Sequence, residues 1–317
     1  MIDCHVHLAA LRTKDNDCYI SPRLLNSPLF RFLRWRHRLP IGDAGRSNQK
    51  YVEELLSELR RSKHVAKAVL LGMDGVYGAN GALDEAKTEF LVGNDYVLTL
   101  ARSYPNEFLA GVSINPQRRD AIDELERCAE AGAVLVKVLP NTQGFDPGER
   151  RYVPFYRKLA QLKMPLLSHV GHEFTLVGQD QSAGDPDKLR VALDEGVTVI
   201  AAHGCSNGLI FYERYYGIFL NLVQQYPNFF ADVSALTLPN RVGMLLRLRR
   251  HPEVHARLIF GTDYPLSVFH LPCWGRTGMG ELKEVIRTDN RFDRQYLILK
   301  YLGVGVRSLE GLLPNSA

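Results

Sequence analysis

Several things are scarce in this chain of 317 residues, and each scarcity narrows what it can be. Cysteine is sparse and odd in number: Cys4, Cys18, Cys128, Cys205 and Cys273 show no paired spacing. A disulfide scaffold is therefore not expected, and a reducing, cytoplasmic setting is. No apolar run reaches the roughly 18 residues that a membrane-spanning helix requires. Charge of either sign is nearly balanced, with 39 Lys and Arg against 35 Asp and Glu. A net +4 on this length predicts neither a nucleic-acid-binding surface nor a membrane-binding one. No low-complexity tract or internal repeat is present, and no Gly-x-Gly-x-x-Gly turn follows an early strand, which argues against a dinucleotide fold. No leader segment is expected before Asp3, because the first strand begins at Ile2.

What is present is an alternation. Short β-rich apolar runs recur: MIDCHVH at the start, AKAVLLGM (66–73), FLAGVSI (108–114), AVLVKVL (133–139), MPLLSHV (164–170), VTVIAAH (197–203), FFADVSAL (229–236) and RLIFGTD (257–263). Amphipathic stretches of helical length lie between them, among them 48–62, 120–131, 154–162, 187–195, 212–226 and 240–249. Nearly continuous apolar strands separated by helices indicate a parallel sheet covered by helices. Eight such units in this length predict a closed α/β fold, a (β/α)8 TIM barrel, spanning 1–317 as one domain. One segment breaks the pattern. Residues 9–47 form a long insertion after strand 1, containing SPRLLNSPLFRFLRWRHRLP, in which Arg31, Arg34, Arg36, Arg38 and His37 mix with Phe30, Phe32, Leu33 and Trp35. It reads as a lid or subunit-contact helix with a solvated basic face, with an anion-binding lid or a membrane-surface helix as the alternatives, and a homodimer is the expected assembly.

Polar residues intrude where the apolar strands end. His5 and His7 lie on strand 1, Lys137 on strand 4, His169 ends strand 5, His203 ends strand 6 and Asp263 ends strand 8. In a parallel barrel these ends open onto one face, where active sites are built. Residues i and i+2 of a strand point the same way, so His5 and His7 aim together into the barrel while Cys4 and Val6 face the helices. Strands 1 and 8 become neighbours on closure, which brings Asp263 beside them, and His169 adds a third imidazole. Three nitrogens and one carboxylate suit Zn2+, with Mn2+, Fe2+ or Co2+ as alternatives. Each residue alone has a structural explanation: a hydrogen-bonded histidine, a turn-capping Asp, a snorkelling Lys. Taken together they would be costly intrusions on apolar strands unless paired or metal-bound.

Asp3-x-His5-x-His7, the strand-end His169 and His203, and FGTDYP with Asp263 resemble the amidohydrolase superfamily, in particular its amidohydrolase-related branch of metal-dependent hydrolases and decarboxylases. The resemblance runs from Ile2 to about Pro265 in matching strand order. It implies that His5, His7, His169 and Asp263 hold one metal ion and that His203 polarises substrate or moves a proton. In two-metal relatives a carboxylated strand-4 lysine bridges the ions; Lys137 stands at that place, and His169 and His203 would then hold the second ion. The expected activity is hydrolysis of a small-molecule amide, ester or lactone by metal-activated water, with Asp263 as general base. The alternative is non-oxidative decarboxylation of a small aromatic or unsaturated carboxylic acid. A non-catalytic barrel with a vestigial metal site is the reading from another class. Asp3 is expected to orient a ligand imidazole or anchor the barrel floor. Asn141, Gln143, Arg150, His172 and Tyr264, on the loops after the strands, are the candidate substrate contacts.

Overall fold

The computed structural model describes residues 1–40, 42–209 and 212–314. The strands, in chain order, are β1 (Ile2–His7), β2 (Tyr19–Ile20), β3 (Lys67–Leu71), β4 (Phe90–Leu91), β5 (Phe108–Ser113), β6 (Ala133–Val138), β7 (Leu166–Ser168), β8 (Val199–Ala201), β9 (Phe229–Asp232) and β10 (Leu258–Ile259). Eight of them form one sheet in the order β1-β3-β5-β6-β7-β8-β9-β10, every pair parallel. Its two edges meet. Cys4 N–H donates to Phe260 O at 3.1 Å, Asp263 N–H to His5 O at 3.0 Å and His7 N–H to Tyr264 O at 2.9 Å. The sheet thus curls into the predicted barrel, with the first and last strands at the seam.

Alternation along each strand sorts side chains between two cores. Ile2, Cys4, Val69, Leu71, Leu135, Leu167, Ile200, Phe230 and Ile259 pack together inside the barrel. Their neighbours, such as Leu70, Val136, Leu166, Val199 and Phe229, pack outward with helix residues including Leu125, Leu159 and Phe219. β1 departs from simple alternation. Its register slips between Asp3 and Val6, where Asp3 pairs with Ala68 but Val6 with Leu70. This bulge places one extra residue in β1 and reverses its faces. Cys4 therefore packs inside, contrary to the expectation from strict alternation, while Val6 and Leu8 still face the helices.

The expected helices are present with shifted ends, including Ala44–Arg60, Ala121–Glu130, Val153–Gln161, Tyr216–Gln225 and Val242–Leu248. Asn94–Ser103, Met279–Arg287 and Arg291–Leu302 are further helices. Among the described residues, no helix is long and apolar enough to cross a membrane. The insertion carries two short helices, Pro22–Leu25 and Pro28–Arg36, each started by a Ser-Pro pair. Ser21 and Ser27 accept from the N–H groups of Leu24 and Phe30, and the prolines occupy first-turn positions that need no N–H. The antiparallel pair β2–β4 ties the insertion to the barrel.

Candidate metal centre

The bulge in β1 sets the site. It turns His5 and His7 toward the barrel mouth, where Asp263 arrives from the segment after β10. His7 Nε2 lies 3.1 Å and His5 Nε2 3.4 Å from Asp263 Oδ1. The two Nε2 atoms are 3.2 Å apart. His5, His7 and Asp263 thus form a group of donors able to hold a metal ion. Asp263 has φ 66° and His203 φ 57°, left-handed conformations that are strained for residues with a Cβ and are typical of functional positions.

The hydrogen bonds around these side chains leave the right lone pairs free. His5 Nδ1–H donates to Asp232 Oδ2 at 2.7 Å, which leaves Nε2 as the coordinating nitrogen. Asp232 also accepts from the N–H groups of His203 at 2.9 Å and Ser234 at 3.0 Å, and from the Ser234 hydroxyl. Burial would raise the Asp232 pKa, but His5 and these donors hold it below the ordinary carboxylate range. Burial likewise opposes ionisation of Asp263, and the surrounding imidazoles outweigh it, keeping that carboxyl well below its usual value. His203 places Nδ1 3.2 Å from Ser234 O, and its Nε2 lies 3.3 Å from His169 Nδ1. With His169 donating there, His169 Nε2 is a bare acceptor, and it is buried without a hydrogen-bond partner. Burial first, and Arg241 next, push the pKa of both imidazoles well below the usual histidine value, so both are neutral. A neutral, buried nitrogen without a hydrogen-bond partner is the kind of donor a divalent cation takes.

His169 itself stands outside the three-donor group and adjoins it through His203. Lys137 is fully buried, its Nζ has no hydrogen-bond partner, and burial lowers its pKa to about 8. Asp3 bonds main-chain N–H groups and a hydroxyl rather than an imidazole. It accepts from His5 N–H at 2.9 Å and from the Thr262 hydroxyl at 2.6 Å, across the seam. Burial pushes its pKa up to about 7.

A cavity of about 450 Å3 opens above this centre, with His7, His169, His203, Arg241 and Asp263 among its lining. Of the expected substrate contacts, only His172 lines it. Gln143 is locked inside the fold, accepting from Leu139 N–H at 2.7 Å and donating to Asp74 O at 3.2 Å. Asn141 donates to Gly171 O at 2.9 Å to hold two loops together. Arg150 is on the surface. The Tyr264 ring stacks on Phe292 at 5.7 Å, away from the cavity. Sequence reasoning passed over Asp232 and Arg241. Asp232 carried a signal, since it follows inward-facing Phe230 by two residues at a strand end, as Lys137 follows Leu135. Arg241, at the start of an ordinary-looking helix, carried none.

A parallel barrel with a histidine–carboxylate donor group at the mouth is the architecture of metal-dependent barrel enzymes. Residues 2–272 match the family model described as Amidohydrolase, and the chain belongs to that family. No curated protein matches the sequence. Among solved structures, the chain is similar to an uncharacterised TIM-barrel protein from Bordetella bronchiseptica, with 18% identity, TM-score 0.59 and coverage of 94% of this chain and 95% of that one. It is also similar to a putative 2-pyrone-4,6-dicarboxylic acid hydrolase from Pseudomonas putida, with 15% identity, TM-score 0.51 and coverage of 96% and 98%. A 5-carboxyvanillate decarboxylase from Novosphingobium aromaticivorans with bound manganese shares 14% identity, with TM-score 0.51 and coverage of 95% and 96%. At these identities the likeness is one of fold.

Proposed function

We propose that the protein is a metal-dependent hydrolase of a small-molecule amide, ester or lactone. The observation that carries this reading is the convergence of His5, His7 and Asp263 from opposite ends of the chain, their donor atoms within 3.4 Å of one another. These three would hold one divalent cation, with His169 Nε2 as the remaining donor; Zn2+ suits the set best, and Mn2+, Fe2+ and Co2+ are alternatives. The cation, when bound, supplies Lewis-acid polarisation. Asp263 takes the proton of the attacking water and returns it to the leaving group. His203, anchored through Nδ1 to Ser234, accepts from His169 at Nε2 and so fixes which His169 nitrogen is left free. Arg241, which lines the same cavity, supplies a fixed positive charge for an anionic group of the substrate. Lys137 stays an amine in this one-ion arrangement; two ions per chain and a carbamate carbon by 13C NMR would replace it with the bridged arrangement.

Decarboxylation is the second reading, supported by the same Arg241, a buried cation that offers a seat for a carboxylate. Turnover of an ester, lactone and amide panel in 18O-labelled water separates the two. Label in the product acid is expected. Release of carbon dioxide from carboxylic acids, with no label incorporated, would establish the second reading in place of the first.

A further inference from the structure

The cavity has two unlike ends. Its floor is the polar centre described above. Its roof comes from the insertion and is mainly apolar, through Ile20, Leu25, Leu29, Phe30, Leu33 and Leu39, with Arg34 and His37 also in the lining. The helix Pro28–Arg36 divides its faces accordingly. Leu29, Phe30 and Leu33 line the cavity, while Phe32, Trp35 and Arg36 are exposed on the outside. A predominantly apolar lining with a few convergent polar groups is the usual form of a small-molecule site, and this volume is within the usual range.

Arg241 marks the other end. It is only 5% exposed. Its guanidinium donates to two main-chain carbonyls, Ser206 O at 3.0 Å and His172 O at 3.4 Å. Among the described residues no carboxylate is salt-bridged to it; Glu173, Asp263, Glu213 and Asp232 act on it only at longer range, and Glu173 uses Oε1 to accept from Thr175 and Leu176 N–H. Burying a cation without a counter-ion is expensive, so such a group is suited to an anion brought by a ligand.

We infer that the substrate is an amphiphile, with an oxyanionic head at Arg241 and an aliphatic body of several carbons lying under the insertion. The 9–47 insertion is then the specificity element, reading length and apolarity rather than merely covering the site. This inference rests on the cavity being the substrate site of the reaction proposed above.

Straight-chain monocarboxylates from acetate to octanoate are the probe, titrated calorimetrically into the full chain with and without added Zn2+. Each added methylene tightens binding about threefold to fourfold until the roof is spanned, as expected for a CH2 leaving water. Leu29→Asn with Leu33→Asn flattens that slope at unchanged metal stoichiometry. Arg241→Leu weakens every member by a common factor of about tenfold or more, and Arg241→Lys, which keeps a cation should the leucine variant misfold, weakens every member by less. Affinity independent of chain length, or a slope untouched by the leucine substitutions, would overturn the inference. Absence of metal binding in the wild type counts against the proposed hydrolase instead, because the length dependence is also read without metal.

Discussion

Asp232 does not itself line the cavity, yet three neighbours of the metal centre depend on it: the His5 ring, the His203 N–H and Ser234. Its carboxylate decides which His5 nitrogen carries the proton. Asp232→Asn keeps the shape and weakens that preference, so metal affinity measured by competition with a chromophoric chelator should fall by about 10–100-fold, with the circular dichroism spectrum retained. Lys137 supports a prediction of pH dependence. Its folded pKa of about 8 lies below the value of 10.5 for a free lysine, so between these values the unfolded chain holds a proton that the folded chain has released. Stability of the metal-free protein attributable to Lys137 therefore rises as pH increases from 8 toward 10.5, by roughly 3 kcal/mol in all. Relative to Lys137→Met, wild type should therefore gain resistance to denaturant as pH rises from 8 toward 10.5, on top of any constant packing difference; parallel curves would show Lys137 to be unperturbed. His5, His7 and Asp263 were legible at this scale because strand pleating and barrel closure are simple geometric rules. Gln143 and Asn141 misled for a physical reason: an amide on a loop satisfies buried main chain as readily as it binds a ligand.

The insertion is the element whose form was least legible. Its two short helices each begin at a Ser-Pro pair. Its basic, aromatic character reads as an outer face, whereas the opposite face lines the cavity, mostly with apolar residues and with Arg34 and His37 beside them. No residue of helix Pro28–Arg36 is buried, and Trp35 is 74% exposed. Few buried contacts mean a low local opening energy. Hydrogen exchange should therefore show amides 29–38 exchanging much faster than those of β5 and β6, and a saturating long-chain carboxylate should slow them; protection equal to that of the barrel strands would contradict this account. Helix Asn94–Ser103 escaped sequence reading because Gly93 precedes it and no side chain caps its start. The bulge in β1 was invisible as well, since an extra residue in a strand leaves the apolar pattern nearly unchanged while reversing which face Cys4 occupies.

At the scale of the whole molecule, strand count and order followed from the alternation of apolar runs and helices, and every expected barrel strand is found in sequential order. That order brings the two ends of the sheet together, and the donor group lies across the resulting seam. Asp3 pins the seam by bonding Thr262 across it, and Asp263 N–H reinforces it on His5 O. A cation held by His5, His7 and Asp263 would link β1 to the segment after β10, so closure of the barrel and construction of the site are one event. Anomalous diffraction above and below the zinc edge, on crystals grown with Zn2+, tests this most directly. The account predicts one strong peak at roughly 2.0–2.2 Å from His5 Nε2, His7 Nε2 and an Asp263 carboxylate oxygen, lost in His7→Ala. A peak elsewhere, or none at that point in a zinc-replete crystal, would contradict it.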